Sequence, residues 1–360
     1  MDNFAFIIHP IEPQKDVARK YPLLGKLPPA IIDFGSRFFP PVYLSHVVGV
    51  RSEATGKEIE GWLLACPLTP RRMLQVRTAT AYRKIVQTGR LAEKLGAKIL
   101  GLGAFTSVVG DAGITISRRL SIPVTTGNSY TVAIAVEAAL EGARRLDRDP
   151  AQCTVAVVGA YGSVGQACAR LIARSVPHVI LIGRDPRRLE EIKPLVEAEG
   201  ATATTQTELD AVRQADIVLT VTSAVTPFLE PEHLKSGAVV CDVARPRNVS
   251  RRVVERRNDV LVIEGGMVSV PGDVDFGFDF GFPPGKAYAC MSETMVLALE
   301  GRYESYTIGK EVSLERVDEI ARLAAKHGFR LAGFRSFERA VTDEEIERIR
   351  RNARLGGSGG

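Results

Sequence analysis

Two stretches of the chain carry side chains whose types and spacing could do chemistry. The first is "PPGKAYACMSETMVLALEG", Pro283 to Gly301. Its proline pair reads as the start of a helix and its glycine as the stop, which places Cys290 in the first two turns. The macrodipole at a helix N-terminus favours thiolate, and Lys286, one turn earlier, adds positive charge. Glu293 at i+3 opposes that charge and could instead shuttle a proton. A thiolate so placed is a candidate catalytic nucleophile. On residue type alone, a buried and inert cysteine is the commoner fate of any thiol. The other four cysteines have blander settings: Cys66 ends a strand, Cys153 and Cys241 flank or occupy strands, and Cys168 lies inside a helix.

The second stretch is "VAVVGAYGSVGQACARLIA", residues 155–173, with Gly159, Gly162 and Gly165 between a strand and a helix. The first glycine permits a tight turn, the second leaves room for a pyrophosphate against backbone amides, and the third allows close helix–strand packing. Ser163 and Val164 lie in the same turn, and Thr222, at the end of "DIVLTVT" (216–222), belongs to the same expected site. The spacing is GxxGxxG, which is common in NADP-using relatives of shikimate dehydrogenase. An NAD-binding turn usually has an acid at the end of the second strand. Here "GRDPRR" (183–188) surrounds Asp185 with Arg184, Arg187 and Arg188. Guanidinium groups suit a 2′-phosphate, so NADPH is favoured, with Arg184 and Arg188 as its ligands. Asp185 keeps NAD open, and a plain helix start is the bland reading of the same residues.

These residues must be held by an α/β scaffold. "FAFII" (4–8) reads as a strand, and 46–66 as two strands joined by a turn at Thr55-Gly56-Lys57. Residues 70–96 read as one long helix from Pro70 to Gly96, and 98–107 as a strand running into a polar loop. A helix from Ser129 leads to Asp149-Pro150, beyond which short apolar runs alternate with helices. That alternation predicts a parallel sheet covered on both faces. Two further helices follow Gly301: one from N-cap Ser313 to Gly328, the other opening with a Thr342–Glu345 capping box. The predicted fold class is therefore α/β: a parallel, doubly wound Rossmann domain, a mixed α/β N-terminal domain, and C-terminal helices packing back across the cleft. The expected boundaries are 1–130 for the substrate domain and 131–285 for the NADP-binding domain. Residues 286–340 are the helices with the cysteine, and 341–360 a tail with a linker-like GGSGG end.

The 360 residues suit two domains, and no apolar run approaches the roughly 18–20 residues that a bilayer span needs. The opening "MDNFAFIIHP" lacks a basic n-region and reads as a first strand, not a signal peptide. Five scattered cysteines without CxxC or zinc spacing fit reduced thiols in a cytoplasm, and no metal-ligand constellation stands out. The net charge of +5 is spread out and lacks an aromatic-studded basic stripe, which argues against nucleic acid. The basic clusters would serve an acidic carrier or a phosphorylated ligand, and peripheral lipid contact is compatible with them.

From about Phe4 to Phe334 the chain resembles the long-chain acyl-[acyl-carrier-protein] reductases of cyanobacteria, which form fatty aldehydes with NADPH. The resemblance rests on "SEATGKEIEGW" (52–62), "LGAFTSVV" (102–109), "TTGNSYT" (125–131) and the glycine turn. It rests equally on "GG" (265–266), "AC" (289–290) with the "ETM" and "LALEG" after it, and "KHGF" (326–329). It implies that Cys290 accepts the acyl group from an acyl carrier protein or CoA thioester, which NADPH then reduces to the aldehyde. The developing oxyanion needs donors, for which Thr106, Ser107 and Asn128 are candidates; turn and helix-cap bonding is the alternative for all three. The linker "SVPGDVDFGFDFGFPPGK" (269–286) departs from the family pattern, and reads either as an apolar lid or as a packed loop.

Three rivals remain. A shikimate dehydrogenase-like enzyme acting on a small hydroxy acid would fit the nucleotide half, but the SxS motif and the lysine after "NVT" are missing. A glutamyl-tRNA reductase-like enzyme is suggested by "VVCDVARPRNV" (239–249), yet that family's nucleophile lies near the N-terminus and no cysteine here precedes Cys66. The third is a non-catalytic NADPH-sensing protein.

Overall fold

In the computed structural model of the protein, which describes residues 1–356, the chain folds as two units. One comprises Met1–Tyr130 and Val268–Arg330, the other Thr131–Met267 with the segment from Leu331 onward. Residues 357–360, the last four of the five-residue linker-like end, lie outside the described residues.

The first unit is built on a five-stranded sheet, formed by β1 (Asn3–Ile8), β2 (Val42–Arg51), β3 (Glu58–Ala65), β4 (Leu100–Leu102) and β5 (Val124–Thr125) in the order β2-β3-β1-β4-β5. β2 and β3 form an antiparallel hairpin, and the remaining pairs are parallel. β1 is central and almost wholly buried, as an uninterrupted apolar run should be. Leu100 and Leu102 pack with Ile7, Leu64 and the helix Thr78–Lys94. Gly101 points the other way, and a Cβ there would fall 2.2 Å from Thr294 Oγ1 of the helix Ala289–Glu300. That helix is apolar nearly all round and correspondingly buried.

Three expectations need correction. The predicted 70–96 helix is two helices, Pro70–Gln75 and Thr78–Lys94, because Val76 and Arg77 take extended backbone with ψ of 157° and 137°. The helix carrying Cys290 begins at Ala289, not at the proline pair; Lys286–Tyr288 is a short strand. Residues 268–285 group with the first unit, not with the nucleotide domain. They are tied to β2 by the Val48–Asp275 bridge and by Ser45 Oγ donating to the Phe276 carbonyl at 2.7 Å.

The second unit holds a six-stranded, all-parallel sheet of β6 (Thr154–Val158), β7 (His178–Ile182), β8 (Thr202–Gln206), β9 (Ile217–Thr220), β10 (Val239–Asp242) and β11 (Leu261–Glu264). Its order, β11-β10-β9-β6-β7-β8, runs outward both ways from β6, the doubly wound arrangement. β8 has no counterpart in the sequence reading, because "TATTQ" is polar and half exposed, as an edge strand can be. The helix Leu314–His327 of the first unit has Ser313 as N-cap and left-handed Gly328 as its end. The helix Asp343–Gly356 opens with reciprocal Thr342–Glu345 bonds at 3.2 and 3.3 Å. No helix among the described residues is long and apolar enough to cross a membrane.

Candidate active site and nucleotide cradle

Within the first unit, Cys290 is the second residue of its helix, one turn nearer the N-terminus than the proline start would place it. It is half-buried, whereas the other four cysteines are buried. Backbone N–H groups of Met291, Ala104 and Cys290 itself favour the charged form of its sulfur. Ala104 sits in a strained turn. It occupies φ 46°, ψ −124°, the first central position of a type II′ turn, usually glycine. The Thr106 N–H closes that turn on the Gly103 carbonyl at 3.1 Å.

The thiol is nevertheless not depressed. Burial, and then the Glu293 charge, push it up to about 12, and these outweigh the three amides. This corrects the expectation of a thiolate at rest. Lys286 lies before the helix, and its ammonium donates to Ser269 Oγ at 2.5 Å.

Glu293 is fully buried and gathers the 125–130 loop around itself. Its Oε1 accepts from Thr125 Oγ1 at 2.5 Å and Thr307 Oγ1 at 2.9 Å, and its Oε2 from the Tyr130 N–H at 2.9 Å. Burial raises its pKa, opposed by these donors. The loop so held presses Gly127 onto Cys290. A Cβ at 127 would lie 2.3 Å from both Cα and Cβ of the cysteine, and the glycine φ is +73°.

The expected oxyanion donors lie differently from one another. Thr106 Oγ1 donates to the Gly103 carbonyl at 2.7 Å and Ser107 Oγ to the Ala104 carbonyl at 2.6 Å, so both hydroxyl protons are used within their own turn. Asn128 is buried at the start of the helix Asn128–Arg145. The reading of side chains passed over the Ala104 amide, for which residue type gives no signal, and over His9. His9 Nε2 accepts the Phe105 N–H at 3.0 Å, and burial holds the imidazole down at about 4, hence neutral. The Phe-rich linker is a packed loop, with Phe276 and Phe280 buried and Phe282 against Tyr288 at 4.3 Å between ring centroids.

In the second unit, β6 runs through the glycine turn into the helix Ser163–Ala173. Gly159 has φ +90°, and a Cβ on it would fall 2.7 Å from the Val221 carbonyl oxygen. A Cβ on Gly165 would fall 2.2 Å from the Gly159 oxygen, which is the close helix–strand approach. Ser163 Oγ is buried at the helix N-terminus without a hydrogen-bond partner among the described residues, and Val164 follows it as the second helical residue. Thr222 N–H and Oγ1 both donate to Asn248 Oδ1, at 3.0 and 2.9 Å, while Asn248 Nδ2 is buried and unpartnered. Open glycine backbone, an orphaned hydroxyl and a helix N-terminus fit a pyrophosphate.

At the end of β7, Arg184 and Arg188 are exposed. Arg188 lies over the Tyr161 ring at 4.4 Å. The Asp185 carboxylate caps the following helix by accepting the Arg187 and Arg188 N–H groups at 3.1 and 3.4 Å, so part of its capacity is already used. Among the described residues no group of three or more His, Cys, Asp and Glu side chains gathers as metal ligands would.

A sequence profile described as shikimate / quinate 5-dehydrogenase matches residues 141–264, which contain this cradle. The chain is 33% identical over 306 residues to the aminotransferase PigE of Serratia sp., covering 83% of this chain and 36% of that protein. It is 29% identical to the long-chain acyl-[acyl-carrier-protein] reductase of Synechococcus elongatus, covering 77% of this chain and 84% of that one. Glutamyl-tRNA reductase of Gloeothece citriformis matches at 27% over 47% of this chain and 40% of its own. The chain thus spans well under half of PigE and of that glutamyl-tRNA reductase. Apart from the aminotransferase, these matches are oxidoreductases by name. Among solved structures, L-tryptophan dehydrogenase from Nostoc punctiforme aligns with a TM-score of 0.38 at 12% identity, covering 99% of this chain and 89% of that one. Glutamyl-tRNA reductase from Methanopyrus kandleri aligns with a TM-score of 0.31 at 20% identity, covering 61% and 43%.

Proposed function

We propose that the protein is a nicotinamide-dinucleotide-dependent oxidoreductase. More finely, it is an NADPH-dependent reductase that converts a long-chain fatty acyl thioester to the aldehyde through an acyl group on Cys290. The observation that carries this reading is the half-buried Cys290 thiol at the N-terminus of its helix, under the close approach of Gly127. The 29% likeness to an acyl-[acyl-carrier-protein] reductase over most of that protein's length supports the choice of substrate class. The dinucleotide cradle of the second unit supports the cofactor, and the arginines after β7 support the phosphorylated form.

At rest the sulfur keeps its proton, because desolvation and Glu293 hold it neutral. Attack requires that proton to leave, and Glu293, on the same helix face with raised proton affinity, is the nearest carboxylate in sequence to take it. The sulfur then bonds to the thioester carbonyl carbon and the carrier thiol departs with the proton. One thioester replaces another, so this step is close to balanced in free energy. NADPH, when bound, supplies the hydride that reduces the acyl carbon. Cleavage of the carbon–sulfur bond releases the aldehyde and returns the thiolate, which the amides of Ala104, Cys290 and Met291 stabilise as a leaving group. The overall change consumes one acyl thioester, one NADPH and one proton, and yields aldehyde, free thiol and NADP⁺. Five unpaired cysteines suit a reducing, cytoplasmic setting.

The test is intact-mass analysis after incubation with acyl-carrier and acyl-CoA thioesters, followed by NADPH and assay of aldehyde. Wild type should gain one acyl mass on Cys290 and the Cys290→Ser variant none. Aldehyde formation that persists in Cys290→Ser, or reduction of shikimate-type ketones without any thioester turnover, would overturn the reading.

A further inference from the structure

Half of the large apolar side chains that stand exposed among the described residues fall between Tyr21 and Tyr43. The helix Pro29–Ser36 shows how they come to be there. Its inner face carries Ile32, Asp33 and Ser36, and Asp33 is locked by Thr69 Oγ1 and by Arg72 Nη2. The outer face of a surface helix is normally polar. Here it carries Ile31 and Phe34, 53% and 55% exposed, and Phe38 follows one turn later at 64%. Leu23, in the preceding turn, is 79% exposed. Aromatic pairs lie within it: Phe34 with Phe38 at 5.6 Å and Tyr21 with Phe39 at 6.0 Å, with the Arg37 guanidinium over both Phe34 and Phe38.

The charges in this stretch are one-sided. From Lys20 to Tyr43 the ionisable acids and bases are Lys20, Lys26, Asp33 and Arg37, and the one acid is buried in its pair with Arg72. What faces outward is therefore aromatic, aliphatic and cationic. A concentration of exposed apolar side chains of this kind marks an interaction site.

We propose that this face docks on an anionic lipid bilayer, with Leu23, Ile31, Phe34 and Phe38 entering the acyl boundary while Lys26 and Arg37 meet lipid phosphates. A second copy of the chain is a poorer occupant, because a two-fold contact would bring the Lys26 and Arg37 of both copies into one interface with no exposed acid from this stretch. An acidic protein would satisfy the charges, but protruding aromatic and aliphatic side chains need matching pockets in a protein partner. Hydrocarbon receives them without any matching of shape. The inference stands apart from the reductase reading, since none of these residues belongs to the sites described above.

The experiment is co-sedimentation of the full chain with phosphatidylcholine vesicles, and with vesicles containing about a third phosphatidylglycerol. Binding should require the anionic lipid and weaken as added salt shortens the screening length. Phe34→Ser with Phe38→Ser should lower partitioning roughly tenfold or more. Lys26→Glu with Arg37→Glu should lower it at least about tenfold. An unchanged thermal transition in both variants confirms that the fold survives, and Leu23→Ser gives a third, milder variant. Failure of the wild type to bind anionic vesicles overturns the proposal. So does binding that neither pair of substitutions reduces. Light scattering that shows the wild type to be a dimer which the Phe variants dissociate, without vesicle binding, assigns the face to self-association and overturns it as well.

Discussion

Gly127 lies so close to Cys290 that any side chain at 127 would overlap the cysteine: a Cβ there would stand 2.3 Å from the Cys290 Cα. The loop that carries Gly127 is held by Glu293, one helical turn beyond the thiol, so the group that shapes the cysteine's surroundings also perturbs its charge.

Gly127→Ala should therefore damage both stability and chemistry. The left-handed φ of +73° alone costs an alanine roughly 1–2 kcal/mol, and the overlap must be relieved by moving the loop or the helix start. Thermal melting should show the loss of stability, and acyl transfer to Cys290 should fall further than the melting shift explains. Wild-type acylation in the variant would show that the loop is not needed at the thiol.

Cys290 should react slowly at neutral pH and faster as pH rises. With its ionisation pushed up to about 12, alkylation by iodoacetamide should increase about tenfold per pH unit between 7 and 10, with no plateau in that range. Glu293→Gln removes the negative charge, so the thiol should ionise at lower pH and alkylate faster at a given pH. The same change sets an amide NH₂ against N–H or O–H donors and should cost about 1–3 kcal/mol of stability. A pH profile unmoved by Glu293→Gln would dismiss the electrostatic coupling.

Cofactor choice is read from the arginines after β7. Arg184→Ala and Arg188→Ala should weaken NADPH much more than NADH, by about tenfold or more if a charge-assisted phosphate contact is lost. Ser163→Ala, which removes the orphaned hydroxyl of the cradle, should weaken both dinucleotides alike. Equal losses for NADPH and NADH in the arginine variants would remove the basis for preferring NADPH.

His9 makes stability acid-sensitive. Its imidazole is held down at about 4 in the folded chain, whereas an unfolded histidine titrates near 6.5. Between those values the unfolded chain binds the extra proton and the native state does not, so stability falls as pH drops from about 6.5 to about 4. The difference amounts to about 3 kcal/mol at the low end. Urea denaturation at several pH values should show this slope, and His9→Gln should flatten it. An equal slope in the variant would assign the acid sensitivity to carboxylates instead.

Much of the architecture was legible in the chain because the forces that set it are local. The glycine triplet, the apolar strands of the doubly wound sheet, the Ser313 cap and the Thr342–Glu345 box depend on neighbours within a few residues, and side-chain type reports them. The break at Val76–Arg77, the late start of the cysteine helix at Ala289 and the polar strand β8 were not legible, because side-chain type marks none of them. Cys290 stood out in the sequence as a thiol near a helix start, and that much needed only residue type and spacing. Its ionisation could not be judged the same way. It depends on desolvation, to which the close approach of Gly127, 163 positions away, contributes, and on the Glu293 charge. Burial is a property of how distant segments converge, and only the tertiary structure decides it.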